Sequence, residues 1–195
     1  MAAYMALHKY GSPHQEPCRD PMLYDTELTR GGLRLVQQLA DRVAALQPRP
    51  EAVLVSPLTR CLQTATAACA QLLEQHRGAR GEQMPLEVEP LLRERVTLSS
   101  EVGRPPAELR RDFPGLTFPG DLADVWWYTR GPGEDPRAVV REPQEVYEER
   151  LQALKRRLAA RPERCLLLVS HWGVLNALTG LDLHPAEIAT KEVQL

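Results

Sequence analysis

Short, unbroken apolar runs alternate along this chain with stretches in which apolar residues recur every three or four positions. Ala52-Val53-Leu54-Val55 and Cys165-Leu166-Leu167-Leu168-Val169 are runs of the first kind. Continuous apolarity over four or five residues suits a strand covered on both faces, as in a parallel sheet. Leu86-Glu87-Val88 alternates and reads as a shorter strand. Leu33, Val36, Ala40 and Val43 follow helical spacing after Thr29, which suits an N-cap, and Pro48 and Pro50 end that helix. Ser56 is placed to cap the next helix, with Pro57 at its first position. Leu58, Cys61, Leu62, Ala65, Ala68, Cys69 and Leu72 form that helix's apolar side. Glu142-Pro143 opens another, in which Tyr147, Leu151, Leu154 and Leu158 share a face. Residues 173–178 predict a last helix, with Gly180 just past its end. Residues 191–195 read as a closing strand. Residues 1–25, broken by Pro13, Pro17 and Pro21, read as irregular.

The alternation of strands and helices predicts an α/β fold: a three-layer α/β/α sandwich with a mostly parallel central sheet. Residues 1–195 suit one domain. The stretch 99–141 is the least regular. It holds a short helix after Pro105-Pro106 and then a Gly- and Pro-rich loop with Trp126, Trp127 and Tyr128. A long insertion of this kind is expected to be a lid or specificity loop. The plainer alternative is that its aromatics pack the loop onto the sheet.

Composition narrows the function classes. Hydrophobic residues are 43% and charged residues 26%, as in ordinary globular proteins. A net charge of -2 gives no electrostatic case for nucleic acid or a membrane surface. Aromatics at 5% leave few base-stacking platforms. Cys18, Cys61, Cys69 and Cys165 form no Cys-x-x-Cys pair, so no metal or redox motif is expected, and they read as reduced core residues. No apolar run is long enough to span a bilayer. The first residues lack a signal-peptide pattern. The expectation is a soluble intracellular protein, cytoplasmic or, with a transit peptide upstream, plastidic.

Two short segments carry the candidate chemistry. Ser56-Pro57-Leu58-Thr59-Arg60 and Ser170-His171-Trp172-Gly173 each follow a predicted strand and open a predicted helix. A helix N-terminus offers free N–H groups and a positive dipole end, so it favours anions. Arg60 adds a bidentate donor there. His171 lies where the strongest strand ends, at the usual ligand edge of an open α/β sheet. Alone, each residue reads more readily as structural: a surface arginine on a capped helix, a satisfied histidine. Parallel strands, however, bring both to one edge. No Gly-x-Gly-x-x-Gly follows a predicted strand, which removes a dinucleotide-binding reading.

The segments SPLTRCLQTA and LLLVSHWG resemble the second-arginine and second-histidine motifs of the histidine phosphatase (phosphoglycerate mutase-like) superfamily. Leu28-Thr29-Arg30-Gly31-Gly32 resembles its Leu-Thr-x-x-Gly helix start. Glu94, in Leu91-Leu92-Arg93-Glu94-Arg95, falls where that family places its acidic proton donor. The phrases DPMLYDTELT, RERVTLSSEVGRPPAEL and DVWWY resemble a plant and algal branch. The resemblance implies phosphomonoester hydrolysis through a phosphohistidine, without metal or other cofactor, on a small phosphorylated substrate. It implies that Arg60, His171 and the backbone N–H of Trp172 hold the phosphoryl group, and that Glu94 and His171 are catalytic. Phosphatase is favoured over mutase at this length.

The family's nucleophile sits in an Arg-His-Gly motif on the first central strand, and this sequence contains no Arg-His-Gly. His8 and His14 are the only early histidines, and neither follows an apolar strand. The first central strand is therefore expected to be missing. Two explanations stand: a start placed at an internal methionine, or a pseudoenzyme that lost the strand. Either way the chain is expected to be inactive as it stands. The alternative function is a non-catalytic phospho-ligand-binding protein. Substrate identity and oligomeric state are not legible in these residues.

Overall fold

The computed structural model describes residues 2–6, 20–76 and 84–194, the first five by backbone only. Five strands form one sheet: β1 (Ala2–Ala6), β2 (Ala52–Val55), β3 (Leu86–Val88), β4 (Leu166–Ser170) and β5 (Glu187–Lys191). Their spatial order is β3-β2-β4-β1-β5. All neighbours are parallel except β5, which runs antiparallel to β1 at the edge. Val53 pairs with Leu167 and Val55 with Val169, so the two motif-bearing strands are parallel neighbours in register.

Alternation along these strands builds the three layers. Val53, Val55, Leu167 and Val169 face one core. It is closed by α1 (Arg30–Gln37), α2 (Ala40–Ala44), α3 (Thr59–Ala68) and α4 (Ala70–Gln75). Trp126 and Trp127 also belong to that core. Ala52, Leu54, Leu166 and Leu168 face the other core, under α6 (Gln144–Ala159) and α7 (Trp172–Thr179). The remaining helix, α5 (Pro106–Asp112), lies in the 99–141 stretch. Because β2 and β4 are buried on both faces, only unbroken apolar runs serve them, which is why these two strands are so plain in the sequence.

Three expectations need correction. The N-terminal stretch is not wholly irregular, and the place beside β4 is not vacant: Ala2–Ala6 fills it. Buried backbone groups along β4 require partners, and an Ala-Ala-Tyr-Met-Ala run supplies them without β-branched residues or alternation to announce itself. His8 and His14 lie outside the described residues. The closing strand is Glu187–Lys191 rather than 191–195. As an edge strand it is only half-buried, so no apolar run marks it. Ser56 does not cap α3, whose N-cap is Leu58. The Ser56 hydroxyl lies beside His171 instead.

Around its tryptophans the 99–141 stretch is packed onto the core. Trp126 and Trp127 are buried and meet edge to face, with ring centroids 5.3 Å apart. Their indole N–H groups donate to the carbonyls of Arg104 and Pro136. Gly103 lies under Trp126 so closely that a methyl group there would stand 2.1 Å from the ring.

Candidate active site

The chain leaves β2, β3 and β4 at one edge of the sheet, and each exit delivers a polar side chain. Ser56 N–H donates to the Val169 carbonyl, and Glu89 N–H to the Val55 carbonyl, so the three exits are laced together. A 3-10 turn at Pro90–Leu92 then leads to Glu94.

Arg60, in the first turn of α3, is almost completely buried. Its Nη1 donates to the Ser100 carbonyl at 2.7 Å, and its Nη2 meets His171 Nδ1 at 3.2 Å. A guanidinium only donates, so Nδ1 of His171 is an acceptor and the ring proton sits on Nε2. That N–H points to Ser56 Oγ, 2.8 Å away. Cys61 Sγ lies 3.3 Å from the same nitrogen. Burial pushes the Cys61 thiol up to about 12, against the pull of Arg60. A thiol so placed is an inert neighbour rather than a nucleophile.

Among the described residues, Arg60 Nε is the buried side-chain nitrogen without a hydrogen-bond partner. Nearly all buried donors in folded proteins are satisfied. An orphan on a buried cation, beside a histidine, has the donor chemistry for an oxyanion.

Glu94 enters from the opposite side. Its Oε2 accepts from the N–H of Gly173 at 3.2 Å, in the first turn of α7, and its Oε1 from the N–H of Arg95 at 2.9 Å. Burial raises its pKa above the ordinary glutamate value, although these two N–H groups and Arg60 pull the other way. A carboxyl whose pKa is raised suits a proton donor. Gly173 makes the approach possible: a Cβ there would stand 2.7 Å from Oε1. Trp172, between His171 and Gly173, donates its indole N–H to Asp182 at 2.7 Å.

Sequence reasoning did not find the groups behind these. Asp25 is buried, and it accepts from Thr59 N–H, Thr59 Oγ1 and Arg104 Nε. It thereby fixes the turn before Arg60. Burial raises its pKa against those donors. Its φ of 41° is a left-handed conformation that aspartate tolerates. Ser100 holds the Arg60 guanidinium through its carbonyl, and Glu101 ties its own turn by accepting from Leu98 N–H and Ser100 Oγ. Only a carbonyl and distant side chains are involved, so no local motif marks them.

The family model described as "Histidine phosphatase superfamily (branch 1)" matches residues 22–192. The chain belongs to the histidine phosphatase superfamily. No curated protein sequence matches it. Among solved structures, a putative alpha-ribazole-5'-P phosphatase from Escherichia coli has the same fold, with a TM-score of 0.50 and 20% identity. That match covers 95% of this chain and 81% of the other. A mycobacterial glucosyl-3-phosphoglycerate phosphatase gives a TM-score of 0.47 at 20% identity, covering 92% of this chain and 78% of that one. The ecdysone phosphate phosphatase of the silkworm gives 0.46 at 21%, covering 88% and 65%.

Proposed function

We propose that the Arg60–His171 pocket binds the phosphoryl group of small phosphate monoesters, in a phosphatase-type site with Glu94 as proton donor. The observation that supports this most is the buried Arg60 guanidinium with its orphan Nε, beside His171. An entering phosphate oxygen would satisfy Nε and share Nη2. A dianion at that point favours a proton on His171 Nδ1, which then donates to a second phosphoryl oxygen while Nε2–H stays on Ser56. The Trp172 backbone N–H, at the start of α7, is our candidate for a further donor. Glu94, its pKa raised by burial, gives its proton to the leaving oxygen.

Family-type hydrolysis also needs a nucleophile, and the sequence has no Arg-His-Gly. Among the described residues around His171, none replaces it. The Cys61 thiol is held protonated. The Ser56 hydroxyl receives the His171 N–H, so His171 is not its base. Our reading is therefore binding with little or no turnover by this sequence. A phosphatase with all its parts, or a mutase, would use the same pocket.

The test is p-nitrophenyl phosphate, followed for both binding and hydrolysis, with Arg60→Ala as the control. We expect saturable binding that Arg60→Ala strongly weakens, without release of nitrophenol above the control. Hydrolysis that depends on Arg60 would make the chain an enzyme, and phosphohistidine trapping would then show whether His8 or His14 accepts the phosphoryl group. No binding by the unaltered chain would overturn the assignment of the pocket.

A further inference from the structure

Next to the turn that carries Glu94 lies a buried carboxylate with two arginines. Glu142 is wholly inaccessible to solvent. Arg93 donates to it through both terminal nitrogens, at 2.8 and 2.9 Å. Arg150, on α6, donates through Nε and Nη2, each at 3.2 Å. Burial pushes the Glu142 pKa up, but the two arginines outweigh it and leave the carboxyl below the ordinary value.

These groups converge on one turn. Arg150 Nη1 also donates to the carbonyls of Leu91 and Arg93, both at 2.8 Å. Arg95 Nε donates to the Glu142 carbonyl at 2.8 Å, and Glu142 N–H donates to the Val96 carbonyl. Residues 91, 93, 95 and 96 are thus each tied to Glu142 or Arg150. Glu94, in their midst, sends its carboxyl to Gly173. As a stabilising device the cluster is a poor choice, since buried ion pairs are often replaceable by apolar residues at no loss. Its geometry suits another purpose.

We propose that Glu142 is a positioning residue: by gripping Arg93 and Arg150 it fixes the 91–96 turn that presents the Glu94 carboxyl to the pocket. This rests on the reading of Glu94 given above. The charged and titratable groups that act on Glu94 are Arg60 and Cys61 on α3, Glu101, Tyr147 on α6 and Arg93 of its own turn, with the backbone N–H of Arg95 and Gly173 on its carboxyl. Glu142→Gln leaves two cations facing a neutral amide and loosens the turn. More positive charge and more water both favour the ionised form of Glu94.

The experiment follows the Glu94 carboxyl by carbon-13 NMR in the full chain, assigned by Glu94→Gln, in the unaltered protein, Glu142→Gln and Arg150→Lys. Lysine keeps the charge but cannot bridge two carbonyls and a carboxylate. We expect the Glu94 titration to move to lower pH in both folded variants. In Arg150→Lys, which keeps the charge, a cluster that merely stabilises would lower the melting temperature and leave that titration in place, which would overturn the proposal. So would failure of both variants to fold. If only Arg150→Lys folds, its titration decides. Inorganic phosphate binding by the unaltered chain, measured alongside, judges the pocket separately: its absence would sink the phosphate reading without touching the clamp.

Discussion

Gly173→Ala isolates the contact between Glu94 and the first turn of α7. The new methyl carbon would stand 2.7 Å from Oε1 and 3.3 Å from Cδ and Oε2 of Glu94. Ordinary contact lies near ~3.5 Å. The obstacle is the far end of a flexible side chain, so the carboxyl swings away rather than the backbone. Gly173 is not among the positive-φ glycines, so alanine brings no backbone strain. In a helix alanine is favoured over glycine by up to ~1 kcal/mol. The lost hydrogen bond from Gly173 N–H to the carboxylate costs about 1–2 kcal/mol. The two nearly cancel, and at roughly 2–4 °C per kcal/mol for a chain of this size the melting temperature should move by only a few degrees. The Glu94 titration should move clearly, and upward, because the carboxyl loses an N–H that favours its ionised form. Thermal melting and the carbon-13 titration of Glu94 read the two effects separately. A loss above ~4 kcal/mol would mean that the backbone cannot yield, and an unchanged titration would mean that Glu94 does not touch Gly173. Either result would refute this description of the site.

Further consequences can be checked on the same protein. Arg60→Ala should weaken inorganic phosphate binding by roughly 10–100-fold, the worth of charged hydrogen bonds, and Arg60→Lys should not restore it, since lysine lacks the fork; calorimetric titration measures both. Because the Glu94 pKa is raised, protonation on lowering the pH removes a negative charge beside the phosphate, so affinity should rise as pH falls through that titration and the rise should vanish in Glu94→Gln. Glu142, with its pKa depressed, contributes stability that is present above the ordinary glutamate value and lost as pH falls through the folded one; acid unfolding of Glu142→Gln should be correspondingly flatter. Gly103→Ala drives a methyl group into the Trp126 ring and should cost about 1–3 kcal/mol or more by overpacking, read by urea denaturation. The Cys61 thiol should resist alkylation in the native protein and react on unfolding.

The parts of the fold that were legible in the sequence are those where one local signal sufficed. β2 and β4 are buried on both faces, so their apolar runs could be read directly, and the parallel pairing followed from the helices between them. Arg60 and His171 could be placed because each stands one short step beyond such a run. β1 was missed because its alanines signal no strand, and β5 because an edge strand needs no apolar face. Ser56 was misread for a subtler reason. Serine before proline is a good cap, but here its hydroxyl, besides a long contact with Leu58 N–H, meets His171, 115 residues later. Asp25 and Glu142 were illegible for the same reason. Their partners lie 34 residues away at Thr59 and 49 away at Arg93, and no local pattern announces a contact across the fold. In the 99–141 stretch Trp126 and Trp127 are buried in the core and Tyr128 is half-buried, contacts across the fold that no local pattern announces.

The central claim is that the orphan donor of Arg60 faces a phosphate site. A crystal structure of the chain grown with inorganic phosphate tests it most directly. A phosphate oxygen within hydrogen-bond distance of Arg60 Nε, with a second near His171 and the anion close to the Glu94 carboxyl, is the predicted result. Arg60 Nε still without a partner, while phosphate sits elsewhere on the protein, would contradict it.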